Sequence, residues 1–143
     1  MDTLKFFCYA PELRPKIATS GSAGLDLRAD KWTTIEKGQQ VQVATGVVAE
    51  IPEGYVGLLI PRSSLGIKGL KLVNTVGVID SDYRGEIMAI VENTSDAPLN
   101  IDRGERFVQL VVVPCPYMKV EEVELGSLSD TERGDGSFGS TGM

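Results

Sequence analysis

"VQVATGVVAEIPEGYVGLLI", residues 41–60, settles the fold class. In "VQVATGVV" apolar and polar residues alternate with a period of two, as a half-buried strand requires because its successive side chains point to opposite faces. "IPEG" then supplies the Pro and Gly that turn a chain, and "YVGLLI" resumes as a second apolar strand. The same grammar runs outward in both directions. "LKFFCYA", "GLDLRA", "LKLV", "VGVI", "EIMAIVE", "RFVQLVVV" and "MKVEEVEL" are short apolar runs, separated by "EKGQ", "SDYRG", "NTSDAP" and "DRGE". That spacing predicts an all-β sandwich or barrel. The only helical signal is a single turn near "SSLGIKG", and the continuous "LVVV" predicts a strand buried on both faces or set in a subunit interface.

The 143 residues suffice for one domain with one core. Composition shifts after Leu125, where "GSLSDTERGDGSFGSTGM" is rich in Gly and Ser. A core over residues 1–125 and a flexible arm over residues 126–143 are therefore expected. Cys8 and Cys115 follow no ligand spacing, so neither a disulfide framework nor a zinc site is indicated, and a reducing, cytoplasmic setting fits. No apolar run approaches the ~18 residues of a membrane span, and "MDTLKFFCYAPELRP" lacks the pattern of a signal peptide. The net charge of −6 argues against stable nucleic-acid binding. The chain has no histidine, which removes His-based triads and the commonest metal ligand together and leaves carboxylates as the proton acceptors near neutral pH.

Five stretches are chemically loaded. "VGVIDSDYRGEI", residues 76–87, reads as a strand, a tight turn and a returning strand, a hairpin whose bend carries Asp80, Asp82, Tyr83 and Arg84 where a plain turn needs only turn formers. "SAGLDLRAD" sets Asp26 between Leu25 and Leu27, pointing away from both. "IPRSSLG" offers Arg62 with two hydroxyls, a set suited to phosphate. "DRGERFVQL" offers Gln109, and "ERGDGSFGSTG" offers Arg133, Phe138, Ser140 and Thr141. Singly, each has a plainer explanation: a solvated carboxylate, a loop start, a buried amide or a flexible tail. Together they supply a phosphate cradle, a base, an anchor for hydrated metal and two aromatic faces for a nucleoside.

Those five stretches, "AGLDLRAD", "PRSSLG", "NTVGVIDSDYRGE", "RGERFVQL" and "RGDGSFGSTG", stand in the order found in the homotrimeric all-β dUTPases, and the chain resembles that family from Ala23 to Gly142. The resemblance implies a distorted jelly-roll β-barrel, assembled as a homotrimer, that hydrolyses dUTP to dUMP and pyrophosphate with Mg2+. Such an enzyme keeps uracil out of DNA and supplies dUMP for dTMP synthesis. It implies that Asp80 polarises the water attacking the α-phosphorus and that Tyr83 lies against deoxyribose. Asn74 and the backbone of Val78, Ile79 and Asp80 read uracil, with Met88 on the returning strand. Arg62, Ser63, Ser64 and Gln109 hold the phosphates. The triphosphate chelates the magnesium, which Asp26 reaches through water, and Phe138, Arg133, Gly139, Ser140 and Thr141 close over the nucleotide. Each site would draw the hairpin, the phosphate loop and the tail from three different subunits. Ser64 and Ser137 stand where the family commonly has Gly, which implies adjusted affinity rather than lost activity.

Three rivals share parts of this inventory. A dCTP deaminase has the fold and the "RSSL" loop, but relies on a Glu and an Arg where Ile90 and Ile67 stand here. A nucleotide-sensing regulator would use the same pocket to control a partner. A plain structural β module explains the strands but not the loaded loops.

Overall fold

The computed structural model describes residues 2–139, 141 and 142. Eleven strands and one short helix follow in the order β1 (Lys5–Cys8), β2 (Lys16–Ile17), β3 (Leu25–Arg28), β4 (Thr33–Ile35), β5 (Gln40–Glu50), β6 (Tyr55–Pro61), α1 (Ser63–Lys68), β7 (Leu70–Leu72), β8 (Gly77–Ile79), β9 (Glu86–Asn93), β10 (Leu99–Ile101) and β11 (Arg106–Pro114). The all-β expectation holds, and the single helical turn falls on "SSLGIK".

Every strand pair is antiparallel. A four-stranded sheet runs β1-β5-β9-β7, a five-stranded sheet runs β2-β3-β11-β6-β8, and β10 pairs with β4. Their inward residues meet in one core, with Val43, Val47, Ile87 and Val91 from the first sheet, Leu27, Leu59, Phe107 and Leu110 from the second, and Ile35 and Ile101 from the third. In β5 the alternation keeps Val43, Thr45, Val47 and Ala49 inside. Between Ala44 and Val48 the β5–β9 register slips, and Gly46 sits there at φ 69. Such a bulge bends a strand. Buried Thr45 is satisfied because its hydroxyl donates to the Ile87 carbonyl at 2.6 Å.

Three readings of the sequence need correction. The stretch 76–87 is not a paired hairpin: β8 pairs with β6, whereas β9 pairs with β5 and β7. Its turn is a corner between sheets, because side-chain alternation dictates which face is buried and not which neighbour a strand joins. "MKVEEVEL" forms no strand, and Met118, Val120, Val123 and Leu125 are exposed. Its apolar residues find no partner edge among the described residues of the chain. β2, β4 and β10 were not legible as strands, since two or three residues are too few to show a period. In "LVVV", Leu110 is buried and Val111, Val112 and Val113 are half-buried on the central strand β11.

No helix among the described residues is long and apolar enough to cross a membrane.

Candidate active site

The sheet registers bring together the residues expected to hold phosphate. Gln109 on β11 lies opposite Asp26 on β3 and opposite Ile60 on β6, so the end of β6 delivers Arg62 beside both. Arg62 leaves the strand with extended backbone, and its N–H donates to the Phe107 carbonyl at 3.2 Å. α1 then starts at Ser63, is anchored by buried Leu65 and stops at Gly69, which adopts φ 101. That left-handed conformation is one that glycine takes without steric cost.

Asp26 is 6% exposed and points away from Leu27 as expected. Its Oδ2 accepts a hydrogen bond from Arg106 Nη1 at 3.2 Å, and its Oδ1 forms an ion pair with Arg62 Nε at 3.2 Å. A buried carboxylate must be paired in this way. Nearby, Lys68 Nζ reaches Glu105 Oε2 at 3.1 Å, and a cavity of about 310 Å³ opens between Arg62, Ser64, Lys68, Glu105 and Arg106. Three cationic side chains face two carboxylates there, so a chain of net charge −6 presents a locally positive hollow. Arg106, Lys68 and Glu105 were missed in the sequence. Arg106 stands at the register shift between Arg106 and Val108, and such a slip re-aims side chains.

Gln109 explains one glycine. A Cβ at Gly24 would fall on the Gln109 amide oxygen, while Gln109 Nε2 donates to the Pro61 carbonyl at 3.3 Å. Gly24→Ala is therefore expected to leave the fold intact but swing the Gln109 amide aside. On the expectation that Gln109 holds a phosphate, the loss of one hydrogen bond to a charged ligand, about 1.5–3 kcal/mol, corresponds to roughly 10- to 150-fold weaker nucleotide binding. Titration calorimetry with a non-hydrolysable nucleotide checks it, and unchanged affinity would remove Gln109 from the binding set.

The second group surrounds β8. The chain enters β8 through Asn74 and Thr75; Thr75 holds φ 63, and the Val76 N–H donates to the Asn74 carbonyl at 2.6 Å. β8 lies at the edge of its sheet, with β6 on one side only, and an edge strand presents unpaired backbone groups. Exposed Val78, half-buried Ile79 and exposed Asp80 follow. At the corner, the Tyr83 N–H donates to the Asp80 carbonyl at 3.1 Å. The Tyr83 hydroxyl donates to the Glu86 carbonyl at 2.8 Å, and its ring lies where a Cβ of Gly85 would stand. Arg84 closes the corner, donating to the carbonyls of Ser81 at 2.6 Å and Tyr83 at 3.1 Å. Asp80 borders a cavity of about 590 Å³ with Ser81, Asp82, Arg84, Tyr55 and Tyr117. The Tyr55 phenol is held above its ordinary pKa because its hydroxyl donates to Asp2 at 2.8 Å and deprotonation would set a second negative charge beside that carboxylate.

Met88 lies elsewhere. It pairs with Ala44 and accepts from Gln42 Nε2 at 2.7 Å, bordering a separate groove with Asp30, Lys31 and Glu86. The arm forms a third group. Hydrogen bonds described in it join near neighbours, such as Arg133 Nε to the Gly136 carbonyl at 2.8 Å, and Phe138 is fully exposed. Arg133 and Thr141 share a hollow, and Gly139 adopts φ 79. Ser140 lies outside the described residues. The chain thus gathers Asp26, Arg62, Ser64 and Gln109 at one place, and strings Asn74, Val78, Ile79, Asp80 and Tyr83 along β8 and the turns that flank it. Ser63 is exposed at the start of α1, beside the first group.

A family model described as dUTPase matches residues 13–142. The chain belongs to the dUTPase family. Among curated relatives, the deoxyuridine 5'-triphosphate nucleotidohydrolase of Hydrogenobaculum sp. is 50% identical over 131 residues, 90% of each chain. That of Cutibacterium acnes is 45% identical over 135 residues, 93% of this chain and 88% of the other. Among solved dUTPases, a mutant from Staphylococcus bacteriophage 80alpha with dUpNHpp superposes at a TM-score of 0.89 with 29% identity over the whole of both chains. The Streptococcus mutans dUTPase superposes at 0.76 with 37% identity, covering 83% of this chain and 100% of the other. Like these dUTPases, this one is nearly all β, and the family model spans all five loaded stretches.

Proposed function

We propose that this dUTPase hydrolyses dUTP to dUMP and pyrophosphate, with Asp80 polarising the water that attacks the α-phosphorus. The observation that carries the mechanism is the corner between sheets. Asp80 leaves the free edge of β8, so one short segment offers backbone groups to a base and a carboxylate at a fixed distance from them. Tyr83 has its hydroxyl occupied by the Glu86 carbonyl and thus meets the sugar with its ring. Asn74, Val78 and Ile79 take the uracil edge. Arg62, Ser63, Ser64 and Gln109 take the phosphates in the positive hollow. Met88, which faces a different groove of its own subunit, supports β9 from the outer face.

The donor set at Asp26 fits an outer role toward Mg2+. One guanidinium hydrogen bond, from Arg106, and an ion pair with Arg62 hold the carboxylate while leaving acceptor positions free for water. When bound, that ion neutralises phosphate charge.

The site is shared in a homotrimer. Its support is the surface a lone subunit leaves open: Val78, Ile67, Met118, Val120 and Leu125 are exposed, and the phosphate residues, the Asp80 corner and the arm border separate hollows. Arg133, Phe138, Gly139, Ser140 and Thr141 then close over a nucleotide held by neighbours. Incubation with each deoxynucleoside triphosphate and Mg2+ tests the whole reading. Pyrophosphate is expected from dUTP, with little from dTTP or dCTP. Ammonia from dCTP would favour the deaminase, and no pyrophosphate from dUTP would defeat the proposal.

A further inference from the structure

The cavity beside Asp80 has a wall that none of the roles above uses. Tyr117 lies three residues beyond the end of β11, where the chain leaves the core for the arm. Its hydroxyl and that of Ser81 form a hydrogen bond at 2.6 Å. The same oxygen accepts from the Gly54 N–H at 3.3 Å, and the Cys115 N–H donates to the Gly54 carbonyl at 2.8 Å. The turn between β5 and β6, the root of the arm and the Asp80 corner therefore meet at one phenol oxygen. Ser81 follows Asp80 directly and is gripped on both sides, with its carbonyl held by Arg84 and its hydroxyl by Tyr117. A carboxylate that must line up water within a few tenths of an ångström needs its neighbours locked.

We propose that Tyr117 is a positioning residue for Asp80, acting through the Ser81 hydroxyl, and that it ties the orientation of the corner to the root of the arm. The inference rests on the reading of Asp80 as the base. Tyr117→Phe removes the Ser81 bond, and the longer one from the Gly54 N–H, and keeps the ring. The loss of one neutral hydrogen bond predicts a fall in kcat of about 3- to 10-fold. KM for dUTP should stay close to wild type, because the bond does not touch the nucleotide, and the thermal midpoint should fall by no more than a few degrees. Ser81→Ala should lower kcat similarly, and the double variant no more than Tyr117→Phe alone, since both remove the bond between Ser81 and Tyr117. In an Asp80→Asn background, Tyr117→Phe should cost nothing further.

Wild-type kcat in Tyr117→Phe, multiplying losses in the double variant, or a raised KM with unchanged kcat would each overturn the positioning role. Asp80→Asn measured alongside separates the two claims. If it abolishes turnover while Tyr117→Phe has no effect, only the positioning role fails; if it retains turnover, both fall.

Discussion

Asp80→Asn is expected to lower turnover by about 10²- to 10⁴-fold, or roughly 3–5 kcal/mol of barrier, the usual contribution of a general base. The amide keeps the size of the carboxylate and loses its basicity. The bond that shapes the corner runs from the Tyr83 N–H to the backbone carbonyl of residue 80, not to its side chain, so the turn survives the change. Arg84 still grips the Ser81 and Tyr83 carbonyls. Nucleotide affinity should therefore persist, because positioning and charge neutralisation, which provide most of the acceleration in phosphoryl transfer, come from other residues. Single-turnover kinetics with dUTP, alongside calorimetry with a non-hydrolysable analogue, separate the two quantities. Unchanged turnover would take Asp80 out of the mechanism.

Much of this fold can be read from alternation, and its failures share one cause. "VQVATGVV" declares which face of β5 is buried, and the burial of Val43, Val47 and Ala49 agrees. Period two is silent about neighbours. It therefore could not tell that β8 and β9, only six residues apart, belong to different sheets. Nor could it tell that "MKVEEVEL" has apolar residues but no partner edge among the described residues of the chain. The site divides along the same line. Arg62 stood out because a guanidinium beside hydroxyls suits phosphate, Asp26 as an anchor for hydrated metal and Gln109 through the family resemblance, and antiparallel registers bring the three together. Arg106 depends on a register slip, the Lys68–Glu105 pair on how α1 sits over β11, and Tyr117 on where the outgoing chain crosses the Asp80 corner. Each is a product of tertiary geometry, and none has a local sequence signal.

Truncation after Leu125 should have the other large effect. The segment removed, residues 126–143, contributes no buried side chain among its described residues, and its described hydrogen bonds join near neighbours. Core packing and the thermal midpoint should consequently be unchanged. Catalysis should not be. On a bound nucleotide, stacking of Phe138 on the base contributes about 1–3 kcal/mol, and a charge-assisted bond from Arg133 about 1.5–3 kcal/mol. Ordering a glycine-rich segment opposes this gain through lost backbone entropy, so the effect is smaller than the sum of the contacts. A net loss of about 3 kcal/mol, roughly 10²-fold in kcat/KM, is expected, with Phe138→Ala costing about 10-fold of it. Steady-state kinetics with dUTP on both variants, with sedimentation to verify the same assembly, measures the effect directly. Full kcat/KM in the truncated protein would mean that nothing in the arm meets the nucleotide, and Arg133, Phe138, Gly139, Ser140 and Thr141 would leave the site together.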